Sequence, residues 1–205
     1  MVIRRKGSRT FLTVSLGFSE DMLTGTIPSE LGLLTNLEFF YFYHCTVLTG
    51  TIPSELGRFA GDNLTFYLEA ASLSGTIPPE IVAKPSLQHL SLAYNYLLTG
   101  TIPTEIGIAS NLRNLFLSLN MLEGTIPTEL AKLSLLENLA MESNMLEGTI
   151  ASEIGQLTNL EIIFLALNFL SGNIPSEIGR LTNLEHLQIF SLGCAAQFLP
   201  RLEIL

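Results

Sequence analysis

Apolar residues follow a short pattern along the chain and return at nearly constant intervals. In residues 112–135, Leu112, Leu115 and Leu117 are spaced L-x-x-L-x-L and are followed by Asn120 and Leu122. Leu115 and Leu117 alternate with variable positions, which is the period of a short strand with one face turned inward. Gly124-Thr125-Ile126-Pro127 comes next, then Leu130 and Leu133. These apolar positions predict a return path along the opposite side, again facing in. Pro127 and the Thr after it suit the opening of a short helical turn. Gly32, Gly57, Gly107, Gly155 and Gly179 follow the equivalent turns, where a positive φ is expected.

The unit recurs. Gly-x-Ile-Pro, or a near miss, starts at Gly25, Gly50, Gly75, Gly100, Gly124, Gly148 and Gly172, and only Ala151 replaces the Pro. A fixed period of this length marks a repeat array, in which each unit packs on its neighbours and the array forms one long surface. The expected organisation is a basic segment over 1–10, a solenoid of about eight 24–25-residue copies over 11–192, and an irregular end over 193–205. The third copy is longer between Gly57 and Asn63, and its register is set with Phe66 and Leu68 inward.

One polar position recurs inside the apolar pattern. Asn95, Asn120, Asn144 and Asn168 occupy it, and Asp21, Cys45, Ala71 and Leu192 take the same place in other copies. A buried Asn at this bend can bond orphan backbone groups of adjacent coils, because its amide both donates and accepts. Cys45 is read as a ladder residue rather than a reactive thiol. Cys194 lies about six copies away, roughly 30 Å at the strand spacing, beyond disulfide reach.

The full unit, L-x-x-L-x-L-x-x-N-x-L-x-G-x-I-P-x-x-[IL]-G-x-L, resembles the plant-type leucine-rich repeat, of the kind found in receptor-like protein ectodomains. The resemblance implies an α/β fold: a right-handed solenoid with a parallel concave β-sheet, short second strands, and 3₁₀ or helical turns on the convex side. Members are commonly extracellular, as receptor ectodomains or secreted inhibitors, and bind proteins, peptides, glycans or small hormones. The cysteine pair that usually flanks the family's N-terminal cap is absent, and no polar cap is evident at either end. Uncapped ends predict self-association.

Charge narrows the partners. Four of the ten basic residues, Arg4, Arg5, Lys6 and Arg9, lie in the first nine positions, against nineteen acidic residues further on. The acidic body argues against nucleic acid. No apolar run has the length of a membrane helix, and residues 1–20 lack a clear signal-peptide pattern.

Positions between the inward leucines carry the variable chemistry. They include Phe39, Tyr41, Tyr43 and His44 in copy two, Tyr67 in copy three, and His89 and Tyr94 in copy four. Asn114 and Phe116 follow in copy five, and Phe164 in copy seven. Thr65, Ser91, Ala93, Ser118, Ala140 and Ala166 belong to the same outward set. None of these positions is Lys or Arg. Exposed aromatic clusters mark interaction sites, and Tyr joins apolar area to a hydrogen-bonding tip. The expected partner is a protein or peptide on the concave face. The competing reading is that Phe39 to Tyr43 simply favour a strand.

Other residues carry less. His44, His89 and His186 sit in separate copies and form no metal-ligand cluster, so no metal or other cofactor is expected. Glu30, Glu55, Glu80, Glu105, Glu129, Glu153 and Glu177 form an even row that suits helix N-termini and offers no acid/base pair. Thr26, Thr51, Thr76, Thr101, Thr125 and Thr149 form a second row, which keeps a structural or ice-binding solenoid as the alternative. Asn63-Leu64-Thr65 is an N-glycosylation pattern. No catalytic motif occurs, and the reading is a non-enzymatic binding module of a cell-surface or secreted protein.

Overall fold

A computed structural model describes residues 14–19 and 23–190. The basic segment, Asp21, Ser191, Leu192, Cys194 and the irregular end over 193–205 lie outside the described residues. Each copy contributes one strand to an eight-stranded parallel sheet: Val14–Ser19, Leu37–Tyr43, Leu64–Glu69, Leu87–Ser91, Asn114–Phe116, Asn138–Ala140, Ile162–Phe164 and His186–Gln188. The Gly-x-Ile-Pro regions contribute a second, seven-stranded parallel sheet running from Gly25–Thr26 to Phe169–Leu170. Strand order follows chain order in both sheets, so every copy pairs only with its neighbours.

Between the second strand of one copy and the first strand of the next lies a short turn. Six are five-residue 3₁₀ helices, such as Thr104–Ile108 and Thr128–Lys132, and one is the α-turn Pro79–Val82. Pro precedes the turn at its cap, as at Pro127 with φ −63 and ψ 132. The following hydroxyl does not cap the backbone. Ser152 and Ser176 instead donate to the carboxylates of Glu153 and Glu177 at 3.2 and 3.3 Å.

The core is a continuous column. Leu112, Leu115, Leu117, Leu122, Leu130 and Leu133 of one copy, and Leu136 opening the next, are all buried. Each such side chain stabilises by about 1.5–3 kcal/mol, so the inward pattern specifies the fold strongly. In copies one to three rings replace leucine: Phe40 contacts Phe42, Phe59 and Phe66 at centroid distances of 5.1, 5.2 and 5.0 Å, and Phe18 contacts Phe42 at 4.9 Å. Phe59, at the turn's C-cap where other copies carry Leu or Ala, joins this cluster, and Phe66 and Leu68 point inward.

The glycine expectation requires a correction. Gly32, Gly57, Gly107, Gly155 and Gly179 have ordinary φ and sit in the 3₁₀ turns; the positive φ values belong to the glycines that open Gly-x-Ile-Pro. At Gly32, Gly57, Gly107 and Gly155 the turn glycine is needed for close approach to the next turn, whereas a Cβ at Gly179 would meet nothing. A Cβ at Gly57 would lie 2.5 Å from Glu80 Cβ and 2.8 Å from its carbonyl oxygen. The opening glycine meets two demands, as at Gly75, with φ +77 and Thr51 Cγ2 only 2.9 Å from the place of a Cβ.

A candidate ligand-binding face

The eight-stranded sheet sets side chains out in rows, because parallel pairing places equivalent positions side by side. One row runs Gly17, Tyr41, Tyr67, Ser91, Phe116, Ala140, Phe164 and Gln188. A second runs Phe39, Thr65, His89, Asn114, Asn138, Ile162 and His186. From Tyr67 to Phe164 rings and small residues alternate in the first row. Tyr41 leans over Gly17, and no Cβ would fit beneath it.

This packing changes the outward set. Thr65, Ser91, Ala93, Ser118, Ala140 and Ala166 have the outward register but are buried. Ser91 is 0% exposed, between Tyr67 and Phe116 in the row, and its hydroxyl has no partner. Thr65, Ser91 and Ala140 lie between rings of the neighbouring copies, which cover them, and alternation along one strand cannot reveal this. The exposed members are Tyr41 at 37%, Tyr43 at 45%, Tyr94 at 46% and His44. Phe39, Tyr67, His89, Asn114, Phe116 and Phe164 are half-buried.

A polar chain crosses the second row. Asn138 Nδ2 donates to Asn114 Oδ1 at 2.6 Å, and Asn114 Nδ2 lies 2.5 Å from His89 Nδ1. Burial pushes the His89 imidazole below its ordinary value; the Glu137 charge opposes that shift and Arg113 adds to it. Neutral His89 accepts from Asn114 and keeps its other nitrogen to donate. Arg113 and Glu137 form an ion pair beside it.

At the end of the strands the chain turns left-handed at His44, Ala70, Tyr94, Leu119, Ser143 and Leu167, with φ between 49° and 61°. These residues immediately precede the ladder position. The bend aims the residue before the ladder out of the sheet while the ladder residue turns in. In copies two to four it shapes a recess of about 250 Å3 lined by Tyr43, His44, Glu69, Ala70 and Tyr94. Tyr43 and His44 meet edge to face at 4.4 Å. The sequence pattern singled out Tyr43, His44 and Tyr94; it gave no signal for Ala70, whose role rests on its backbone.

Beneath the bend, Asn144 Nδ2 donates to the carbonyls of Leu117 and Met141 at 2.9 and 3.1 Å, and its Oδ1 accepts from Leu122 N at 3.0 Å. Asn168 repeats this with Met141, Leu165 and Leu146 N. Asn95 donates to Leu68 and Leu92, and Asn120 to Leu92 and Leu117, yet the Oδ1 of each is buried without a partner. The extra residue after Asn95 explains Asn120: Leu98 N turns back to the Asn95 carbonyl at 2.8 Å and cannot serve the next copy's amide. Cys45 fills the same slot, buried, its Sγ 4.0 Å from the Phe18 carbonyl oxygen.

The remaining candidates lie apart. Asn63 is exposed in the turn just before the strand Leu64–Glu69 and accepts from Gln88 at 2.7 Å. The six Thr side chains are exposed, four of them in strands of the second sheet and Thr76 and Thr149 just past theirs. Among the described residues, no group of three or more His, Cys, Asp or Glu could hold a metal ion, and no helix is long and apolar enough to cross a membrane.

Comparison with known proteins agrees with this architecture. The Leucine Rich Repeat family profile matches residues 86–107 and 111–133, and no catalytic family is indicated. No curated protein sequence matches. Among solved structures, the plant peptide hormone receptor RGFR1 in complex with RGF2 is 34% identical, with a TM-score of 0.72, over 86% of this chain and 27% of that one. The ectodomain of the Arabidopsis thaliana membrane receptor kinase GASSHO1/SCHENGEN3, in complex with CASPARIAN STRIP INTEGRITY FACTOR 2, is 34% identical, with a TM-score of 0.73, over 87% and 24%. A plant ice-binding protein is 30% identical, with a TM-score of 0.71, over 85% and 56%. The chain thus spans about a quarter of the length of the receptor ectodomains. Its two parallel sheets, 3₁₀ turns and Asn-bearing bends make it a leucine-rich-repeat protein of the plant receptor-ectodomain type.

Proposed function

We propose that this chain is a non-enzymatic protein- or peptide-binding module of a cell-surface or secreted recognition protein. The solvent face of the eight-stranded sheet, taken as the concave face, carries the contact, centred on copies two to four. The observation that carries this reading is the exposure of Tyr43 and Tyr94 around one recess, with Tyr41 exposed on the same strand as Tyr43. Exposed tyrosines on a rigid sheet give large contact area at low entropic cost and are favoured as binding anchors. Structures of similar proteins with a bound hormone or factor support the same use of the fold.

The test is selection from a random displayed peptide library on the 205-residue chain. Tyr41→Ala and Tyr43→Ala should each weaken the selected peptides roughly tenfold or more while melting stays unchanged. Unfolding of both variants would place these rings in the core and end the reading. In cells, surface or secreted residence predicts a glycan at Asn63, lost in Asn63→Gln.

A second reading rests on the Thr-bearing sheet and the resemblance to an ice-binding protein. Thr49 and Thr99 donate back to the carbonyls of Gly25 and Gly75 at 3.1 and 3.2 Å, which gives those two a structural role. The exposed Thr26 row has no such bonds and is the part left for ice. Thermal hysteresis that Thr76→Lys abolishes would favour this reading; its absence in the wild-type chain would remove it.

A further inference from the structure

The recess in copies two to four has the chemistry of a cation seat. Tyr43 pairs with Glu69 in register, and Tyr94 projects from the bend of the next copy, so a ring stands on either side of the carboxylate. Glu69 makes no side-chain hydrogen bond or ion pair with any described residue. No Lys or Arg occupies an outward position of the strands. The rim is fixed before any ligand arrives: His44 N donates to the Glu69 carbonyl at 3.2 Å, Ala70 N to Ala93 at 3.1 Å, and Tyr94 N to Ser118 at 3.0 Å. Ala70 contributes no bulk, which leaves the recess open. The carboxylate's field reaches its surroundings, since the Tyr67 phenol is pushed up by burial first and by the Glu69 charge second.

We infer that this recess seats an arginine side chain of a basic peptide, with its guanidinium between the Tyr43 and Tyr94 rings and forked onto the Glu69 carboxylate. The inference rests on the peptide-binding reading and adds the charge of the partner. Arginine fits better than lysine because its planar head can stack on rings and present two parallel donors to one carboxylate, whereas an ammonium is a hydrated point charge. A metal ion is disfavoured by the donor set, which offers one carboxylate and one imidazole. The net charge of −9 adds long-range attraction for a basic partner.

The library peptides test this directly. Arginine should be enriched, its replacement by citrulline should weaken binding about tenfold, and Glu69→Gln and Tyr94→Ala should remove that difference. Replacement by lysine should also weaken binding. Melting curves and the amide spectrum of each variant check that the fold is kept. Peptides that lack arginine, or that bind Glu69→Gln as well as wild type while still losing affinity to Tyr41→Ala, overturn the arginine seat and leave the binding face standing. Peptides indifferent to Tyr41, Tyr43 and Glu69, or no enrichment, overturn both.

Discussion

Asn120 and Asn144 look equivalent in the sequence, yet their surroundings differ by one hydrogen bond. Asn120→Ala removes one of the two amide donors from each of the Leu92 and Leu117 carbonyls, which keep Asn95 and Asn144, and should cost about 0.5–1.5 kcal/mol. Asn144→Ala also strands the buried Leu122 N–H and should cost more. Chemical denaturation of both variants gives the order, and equal costs would refute the account. His89 sets a second expectation. Its folded pKa lies below the ordinary 6.5, so the unfolded state binds a proton more readily. Stability is therefore fully present above the ordinary value and is lost as pH falls below it. His89→Gln should flatten that part of the stability profile. An unchanged slope would show that protonated His89 is tolerated.

At the scale of the turn, the sequence repeats proline where the backbone already has the proline angle. Ala151 has φ −69 and ψ 145 and is the one cap without it. A void of about 20 Å3 sits beside it, lined by Ile126, Pro127, Leu130, Ile150 and Ile154. Ala151→Pro should stabilise the chain by about 0.4–1 kcal/mol, because the unfolded chain loses freedom and the native turn does not. A lower melting temperature would mean that the ring does not fit. The opposite holds at Gly57, where any side chain presses on the Glu80 backbone; Gly57→Ala should cost about 1–3 kcal/mol by overpacking.

Across the whole molecule the repeats stack like charges as well as leucines. Glu30, Glu55, Glu80, Glu105, Glu129, Glu153 and Glu177 each open a turn, and only Arg58, Lys132 and Arg180 sit among the turn ends as counter-charges. The row repels itself at low ionic strength. Melting temperature should therefore rise as salt is raised from about 10 mM to 0.5 M, since the Debye length then drops from about 30 Å to a few ångströms. A flat or falling curve would show that local helix-end attraction outweighs the repulsion.

The period, the inward leucines, the Asn slot and the two-sided coil were legible from sequence, because each copy repeats the same local instruction and neighbour packing simply multiplies it. Phe66 and Leu68 could be oriented despite the longer third copy, since alternation allows only two choices of face. Tertiary structure alone decided which outward residues remain exposed. Ser91 and Ala140 are buried because rings from neighbouring copies, about 25 residues away in the chain, cover them. It also assigned the glycines their two jobs, since contact with Glu80 and a left-handed backbone look identical as the letter G. The recess around Glu69 arises the same way: its walls come from three copies, and only their stacking brings two tyrosines to one carboxylate.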